Sequence, residues 1–166
     1  NGVNLEEFPA FAAQFPLLVT FNGSQFDVPF LRARLPEARL NQLHIDLRFV
    51  LRSLGYRGGL KAIERQLGLQ RDRAIQNVDG FEAVRLWYRY RRGDRDALTK
   101  LVLYNLTDVV NLVELMETAF DRKFHSLGFP GACPRTPPAA CPRFDHSKSL
   151  ACVAELLATK GLRASW

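Results

Sequence analysis

An apolar run, Pro16-Leu17-Leu18-Val19-Thr20-Phe21, ends abruptly at Asn22-Gly23, a pair that favours tight turns, and this junction constrains the fold more than any other stretch. It predicts a buried strand running into a loop. Phe26, Phe30, Leu31 and Leu35 then recur at helical spacing, with Ser24 as the expected N-cap and Pro29 tolerable only in the first turn. The short Leu43-His44-Ile45-Asp46-Leu47 segment predicts a second strand, followed by a helix over Arg48–Leu54 that Gly55 stops. Strands alternating with helices predict an α/β fold, a central sheet flanked by helices.

The C-terminal half is helix-rich. Gly58-Gly59 reopens the chain before a short amphipathic helix carrying Leu60, Ile63 and Leu67, and Asp79-Gly80 starts another whose Phe81, Val84 and Trp87 share a face. Asp94 or Asp96 then caps the longest helix, where leucines and valines from Leu98 to Leu115 cover more than one face, so it must lie against the core. Five of the nine prolines fall between 128 and 142, a texture that predicts a linker. The expected organisation is one domain over residues 1–124, a linker over 125–146 and a short possible helix over 147–166.

A chain of 166 residues, 47% hydrophobic and 24% charged, suits one soluble globular domain, not a disordered or collagen-like polymer. No apolar run is long enough to span a membrane. The three cysteines, Cys133, Cys141 and Cys152, show no Cys-x-x-Cys spacing, which points away from a disulfide framework and towards a reducing, cytoplasmic setting. Cys133, Cys141, His125 and His146 match no zinc-finger pattern. The net charge of +6 hints at a phosphate-bearing partner. The chain opens Asn1-Gly2-Val3, with neither a Met nor a basic, apolar leader, and is read as a segment of a longer polypeptide.

Two polar features interrupt the apolar pattern. Asp27 stands between Phe26 and Val28-Pro29-Phe30, where a buried carboxylate must be paired, hydrogen-bonded, metal-bound or neutral; a helix-capping role is the structural alternative. Tyr104, Asp108 and Asn111 are spaced i, i+4 and i+7 on the long apolar helix and form one narrow stripe. Its structural alternative is a partly solvated helix edge. Two carboxylates from different elements are what Mg²⁺ or Mn²⁺ needs when substrate phosphates complete its shell, and paired ions stabilise both the attacking and leaving oxygens of a phosphodiester.

Asn22-Gly23-Ser24-Gln25-Phe26-Asp27 resembles the second motif, Asn-x-x-x-(Phe/Tyr)-Asp, of the DnaQ-like (DEDDy-type) 3′-to-5′ exonucleases of the ribonuclease H superfold, and Tyr104-Asn105-Leu106-Thr107-Asp108 resembles their third, Tyr-x-x-x-Asp. Phe26-Asp27-Val28-Pro29-Phe30-Leu31, His44-Ile45-Asp46-Leu47 and Gly58-Gly59-Leu60-Lys61 narrow the resemblance to the YprB-type ribonuclease H-like domain, over about residues 4–120. The resemblance implies a partial ribonuclease H-like fold and metal-dependent hydrolysis from a single-stranded 3′ end of DNA or RNA. It implies Asp27 and Asp108 as ligands of a two-ion Mg²⁺ or Mn²⁺ site, Tyr104 as the group orienting the attacking water, and Asn22 in support. Lys61, beside two glycines that let a backbone approach closely, is a candidate phosphate contact. Asp46 is read as a strand-end cap.

The family also requires Asp-x-Glu on its opening strand, and this sequence contains none. Half of the implied ligand set is missing, so the 166-residue chain alone is expected to be weakly active or inactive, with the pair supplied upstream. Five arginines against one aspartate between Arg85 and Arg95 give a local charge of +4; Arg85, Arg89 and Arg92 share a helical face that can track phosphates. The alternative is a solvated face with Trp87 and the tyrosines packed inward. Two rival functions remain: a catalytically inactive nucleic-acid-binding or scaffold module of the same fold, and a purely structural domain of a larger enzyme.

Overall fold

The computed structural model describes residues 7–128. Most of the expected linker, the three cysteines, His146 and the segment over 147–166 lie outside them. The described residues fall into two compact units, one formed by residues 7–67 and 112–128 and the other by residues 68–111.

The first unit opens with α1 (Phe8–Ala12), then β1 (Leu17–Thr20), α2 (Asp27–Arg34), β2 (Leu43–Asp46), α3 (Leu47–Ser53) and α4 (Leu60–Gln66). β1 and β2 pair in parallel, Leu17 opposite Leu43 through Thr20 opposite Asp46. A parallel pair needs a crossover rather than a tight hairpin, and α2 supplies it. Among the described residues the sheet has these two strands. β1 was expected to be buried; instead Leu17 is exposed and Leu18, Val19 and Thr20 are half-buried. Val28, Leu47, Leu51, Ile63, Leu115 and Ala119 are buried here.

Gly23 shows why this turn is sequence-specific. A Cβ on it would stand 2.5 Å from Thr20 Cβ and 2.6 Å from Thr20 Oγ1, closer than real atoms approach. Gly23→Ala must push a β-branched strand residue aside, so thermal unfolding should register a loss of about 2 kcal/mol. A loss below about 0.5 kcal/mol would show that the turn yields freely.

The second unit is helical. Asp79 accepts a hydrogen bond from the Glu82 amide at 2.7 Å and so caps α5 (Gly80–Arg91). Asp94, not Asp96, caps α6 (Arg95–Ser126), accepting from the Ala97 amide at 3.1 Å. Ile75, Val78, Leu86, Ala97 and Leu103 form the core of this unit, with Tyr90 and Tyr104 packed against it. α6 is one 32-residue helix that runs through His125 and Ser126, two positions into the expected linker. Its first half belongs to the second unit and its second half to the first. No helix among the described residues is long and apolar enough to cross a membrane.

Candidate functional site

At the C-terminal end of β1 the chain turns through Asn22, whose φ of 66° lies in the left-handed region, one that asparagine tolerates better than most residues. The turn is fastened from β2. The Asp46 carboxylate accepts from the Asn22 amide at 2.6 Å, the Ser24 amide at 3.0 Å and the Ser24 hydroxyl at 2.5 Å. It also accepts from the Arg48 amide at 3.1 Å, which makes it the N-cap of α3. Burial pushes the Asp46 carboxyl upward, but the Ser24 hydroxyl and the Ser24, Asn22 and Arg48 amides outweigh it and hold it below the usual 3.8. Asp46 is thus the strand-end cap read from the sequence and also the clamp on the Asn22 turn. Ser24 is not the N-cap of α2: its hydroxyl points to Asp46, and Phe26 takes the cap position without a side-chain bond.

Asn22 Oδ1 accepts from Arg48 Nη1, and Gln25 Oε1 accepts from the same nitrogen at 3.3 Å. Asp27 is the first residue of α2 and is exposed, as are Phe26 and Phe30. The burial expected for this carboxylate is therefore not found: Val28 turns into the core, but Asp27 itself is exposed, so no burial penalty demands a partner. Lys61 stands in the first turn of α4.

The polar stripe of α6 faces inward in the second unit. Asn111 is 6% exposed, and Tyr104 and Asp108 are half-buried, so it is not a solvated edge. Arg71, which no motif or spacing singles out, places Nη2 2.5 Å from Asp108 Oδ1, and its side chain is only 7% exposed. The same guanidinium lies 5.8 Å from the centroid of the Tyr104 ring.

Arg85, Tyr88 and Arg89 of α5, with Arg92 at its C-terminal cap, line a shallow groove of about 430 Å³. Arg89 is bonded there to Asp94 Oδ2 through Nε at 2.9 Å and Nη2 at 2.6 Å, and Arg85 approaches Glu82 at 3.6 Å. Two of the three arginines of the expected basic face thus have carboxylate partners close by in sequence, Glu82 within α5 and Asp94 just beyond it. Tyr88 is exposed, while Trp87 and Tyr90 are half-buried.

A family model of the RNase H superfamily matches residues 2–120. The chain belongs to the RNase H superfamily. No curated protein and no solved structure matches it. Within the superfamily frame the chain shows a helix-rich, partial α/β architecture, and nucleases of this superfamily generally use divalent metals. The residues described here do not by themselves fit such a centre. Among them no three His, Cys, Asp or Glu side chains converge, the sequence lacks Asp-x-Glu, and Asp108 already carries a guanidinium on Oδ1.

Tyr104 offers a direct check on this RNase H-like chain. Burial and the Asp108 carboxylate raise its phenol above the usual 10.0, against the opposing pull of Arg71, and its hydrogen bond to Asp108 acts in the same direction as burial. The folded state favours the neutral phenol, so its contribution to stability is full below about pH 10 and is lost as pH rises through the folded value. Absorbance titration should show a phenolate step above pH 10 that Tyr104→Phe removes. An unchanged titration in the variant would dissolve the Tyr104–Asp108 pairing.

Proposed function

We propose that the protein acts in phosphodiester hydrolysis of the nuclease type on DNA or RNA, and more narrowly as a DnaQ-like, metal-dependent 3′-to-5′ exonuclease of the YprB type. The observation that carries this reading is the placement of Asp27 at the head of α2, just past a clamped Asn22 turn, with Tyr104 and Asp108 one helical turn apart on the inward stripe of α6. Oxygen donors of this kind suit Mg²⁺ or Mn²⁺. The protein's own contribution is to fix the turn through Asp46 and to hold the Tyr104 phenol, a hydrogen-bond donor at neutral pH, beside Asp108.

A second reading, a catalytically inactive nucleic-acid-binding module, is favoured by the Arg71–Asp108 ion pair, which supplies Asp108 with a counter-charge before any cation arrives. The two separate in one assay. Protein made from the complete reading frame is incubated with 5′-labelled single-stranded oligonucleotides and Mn²⁺ or Mg²⁺, with and without chelator. Stepwise shortening from the 3′ end that chelator abolishes, and that Asp27→Asn lowers about a hundredfold or more, supports the nuclease. Binding without shortening, indifferent to chelator, supports the module.

A further inference from the structure

The C-terminal ends of β1 and β2 open into a cleft of about 530 Å³ that motif residues Asn22, Gly58 and Gly59 share with three arginines belonging to no motif. In sheets built from parallel strands, the space beyond the carboxyl ends of the strands is where ligands bind. Nine residues line it, three of them arginines and none of them acidic; Asn22, Arg48, Arg52, Tyr56, Arg57 and Gly59 define its walls. Arg48 and Arg52 are four residues apart on α3 and so share a face, about 6 Å apart along its axis. Arg57 joins them from the loop that leads into α4.

That loop is fastened. The Tyr56 amide donates to Leu51 O at 3.1 Å, Arg57 Nη1 donates to Arg52 O at 3.2 Å, and Gln66 Nε2 returns from α4 to Arg57 O at 2.8 Å. Tyr56 is half-buried, with the Arg122 guanidinium 5.2 Å from its ring centroid. Gly59 faces open space, with nothing within 4 Å of where a Cβ would stand. Among the described residues none of Arg48, Arg52 and Arg57 forms an ion pair with a carboxylate. This differs from α5, where Arg89 is bound to Asp94. Cations gathered in one cleft without counter-ions repel one another, and an anionic ligand relieves that repulsion.

We propose that this cleft binds the sugar–phosphate backbone of a single-stranded nucleic acid, with Arg48, Arg52 and Arg57 on successive phosphates and Tyr56 against a base. Guanidinium groups match phosphate oxygens in a two-pronged geometry, an aromatic ring accepts any base by stacking, and the volume accommodates about one or two nucleotide units. The inference deepens the proposed function, resting on its reading that the substrate is a nucleic acid, but it does not rest on hydrolysis.

The test is fluorescence anisotropy of labelled dT12 and rU12 in chelator, where no metal-dependent cleavage intervenes, across a salt series. Wild type should bind with a log–log salt slope of about −2, as three phosphate contacts on a single strand require. Arg52→Ala/Arg57→Ala should weaken binding at least about tenfold at low salt and bring the slope to about −0.7, whereas Arg52→Lys/Arg57→Lys should restore most of the slope. Should the double alanine variant lose its circular-dichroism spectrum, Arg52→Gln and Arg57→Gln made singly carry the same comparison, each removing about a third of the slope.

Arg32→Ala/Arg34→Ala, at the far end of α2, should bind as wild type. Equal binding and slope in wild type and the Arg52/Arg57 variants would overturn the inference, as would failure of wild type to bind either strand. Displacement of the strand by pyrophosphate at equal phosphate concentration would overturn it in favour of a plain anion site. Oligonucleotide binding lost with these arginines while hydrolysis is absent leaves the cleft assigned and removes the nuclease; hydrolysis without arginine dependence does the reverse.

Discussion

Arg71→Ala is expected to destabilise the protein by about 3 kcal/mol, the largest effect of any single substitution outside the apolar core. Its side chain is almost wholly buried and its Nη2 sits 2.5 Å from Asp108 Oδ1. Removing it leaves a half-buried carboxylate without its counter-charge and strips a cation from the Tyr104 ring. Asp108 keeps 23% side-chain exposure, which places the cost at the lower end of the range for broken interior pairs. In a chain of this size that corresponds to a fall in Tm of about 9 °C. Arg71→Met combined with Asp108→Leu should recover most of the loss, because replacing both charges also removes the desolvation cost of both. A double-mutant cycle with a coupling energy below about 0.5 kcal/mol would reduce the pair to an ordinary surface contact. The same physics bears on activity assays: Asp108→Ala strands Arg71, so any loss of function in that variant must be read beside its melting curve.

Asp46→Ala should cost nearly as much, about 3 kcal/mol at neutral pH, since one buried carboxylate accepts from three backbone amides and a hydroxyl. Asp46→Asn should cost less, about 2 kcal/mol, because an amide retains one accepting oxygen but cannot accept at its nitrogen. The folded-state carboxyl titrates below its unfolded value. Its stabilising contribution is therefore fully present above about pH 4 and disappears as pH falls through the folded value. The gap between wild type and Asp46→Asn, followed by denaturant unfolding, should be constant from pH 7 to about pH 5 and narrow below pH 4. A gap independent of pH down to about pH 2 would mean that the carboxylate charge contributes nothing to the clamp.

What could be read from the sequence was what depends on neighbours along the chain. Asn22-Gly23 marked the turn, Asp79 and Asp94 marked helix starts, and the spacing of Tyr104, Asp108 and Asn111 marked a polar stripe that does face inward. Contacts between distant segments were less visible. Ser24 satisfies the local rule for an N-cap, yet its hydroxyl is taken by Asp46, 22 positions away. Asp27 sits in an apolar run whose phenylalanines point outward, and alternation in so short a helix could not show which face is buried. Arg71 lies among Gln70, Asp72 and Arg73, a stretch that looks like any solvated loop; only its approach to Asp108 distinguishes it. The cleft arginines escaped notice because Arg48 and Arg52 are spread over α3 and Arg57 lies in the loop after it, with no concentrated charge to draw attention, unlike the run from Arg85 to Arg95.

The clamp on the Asn22 turn has a consequence for the order in which the chain acquires structure. Most of the bonds that hold Asn22 and Ser24 reach across more than twenty residues to the end of a neighbouring strand, so the turn cannot settle until the Thr20–Asp46 register is in place. Closing that loop costs entropy before any contact rewards it, whereas α5 and its cap need only neighbours. The turn leading to Asp27 is therefore a late arrival in folding and an early departure in unfolding. In native-state hydrogen exchange the amides of Asn22 and Ser24 should open together with the β1–β2 pairing, as one cooperative step.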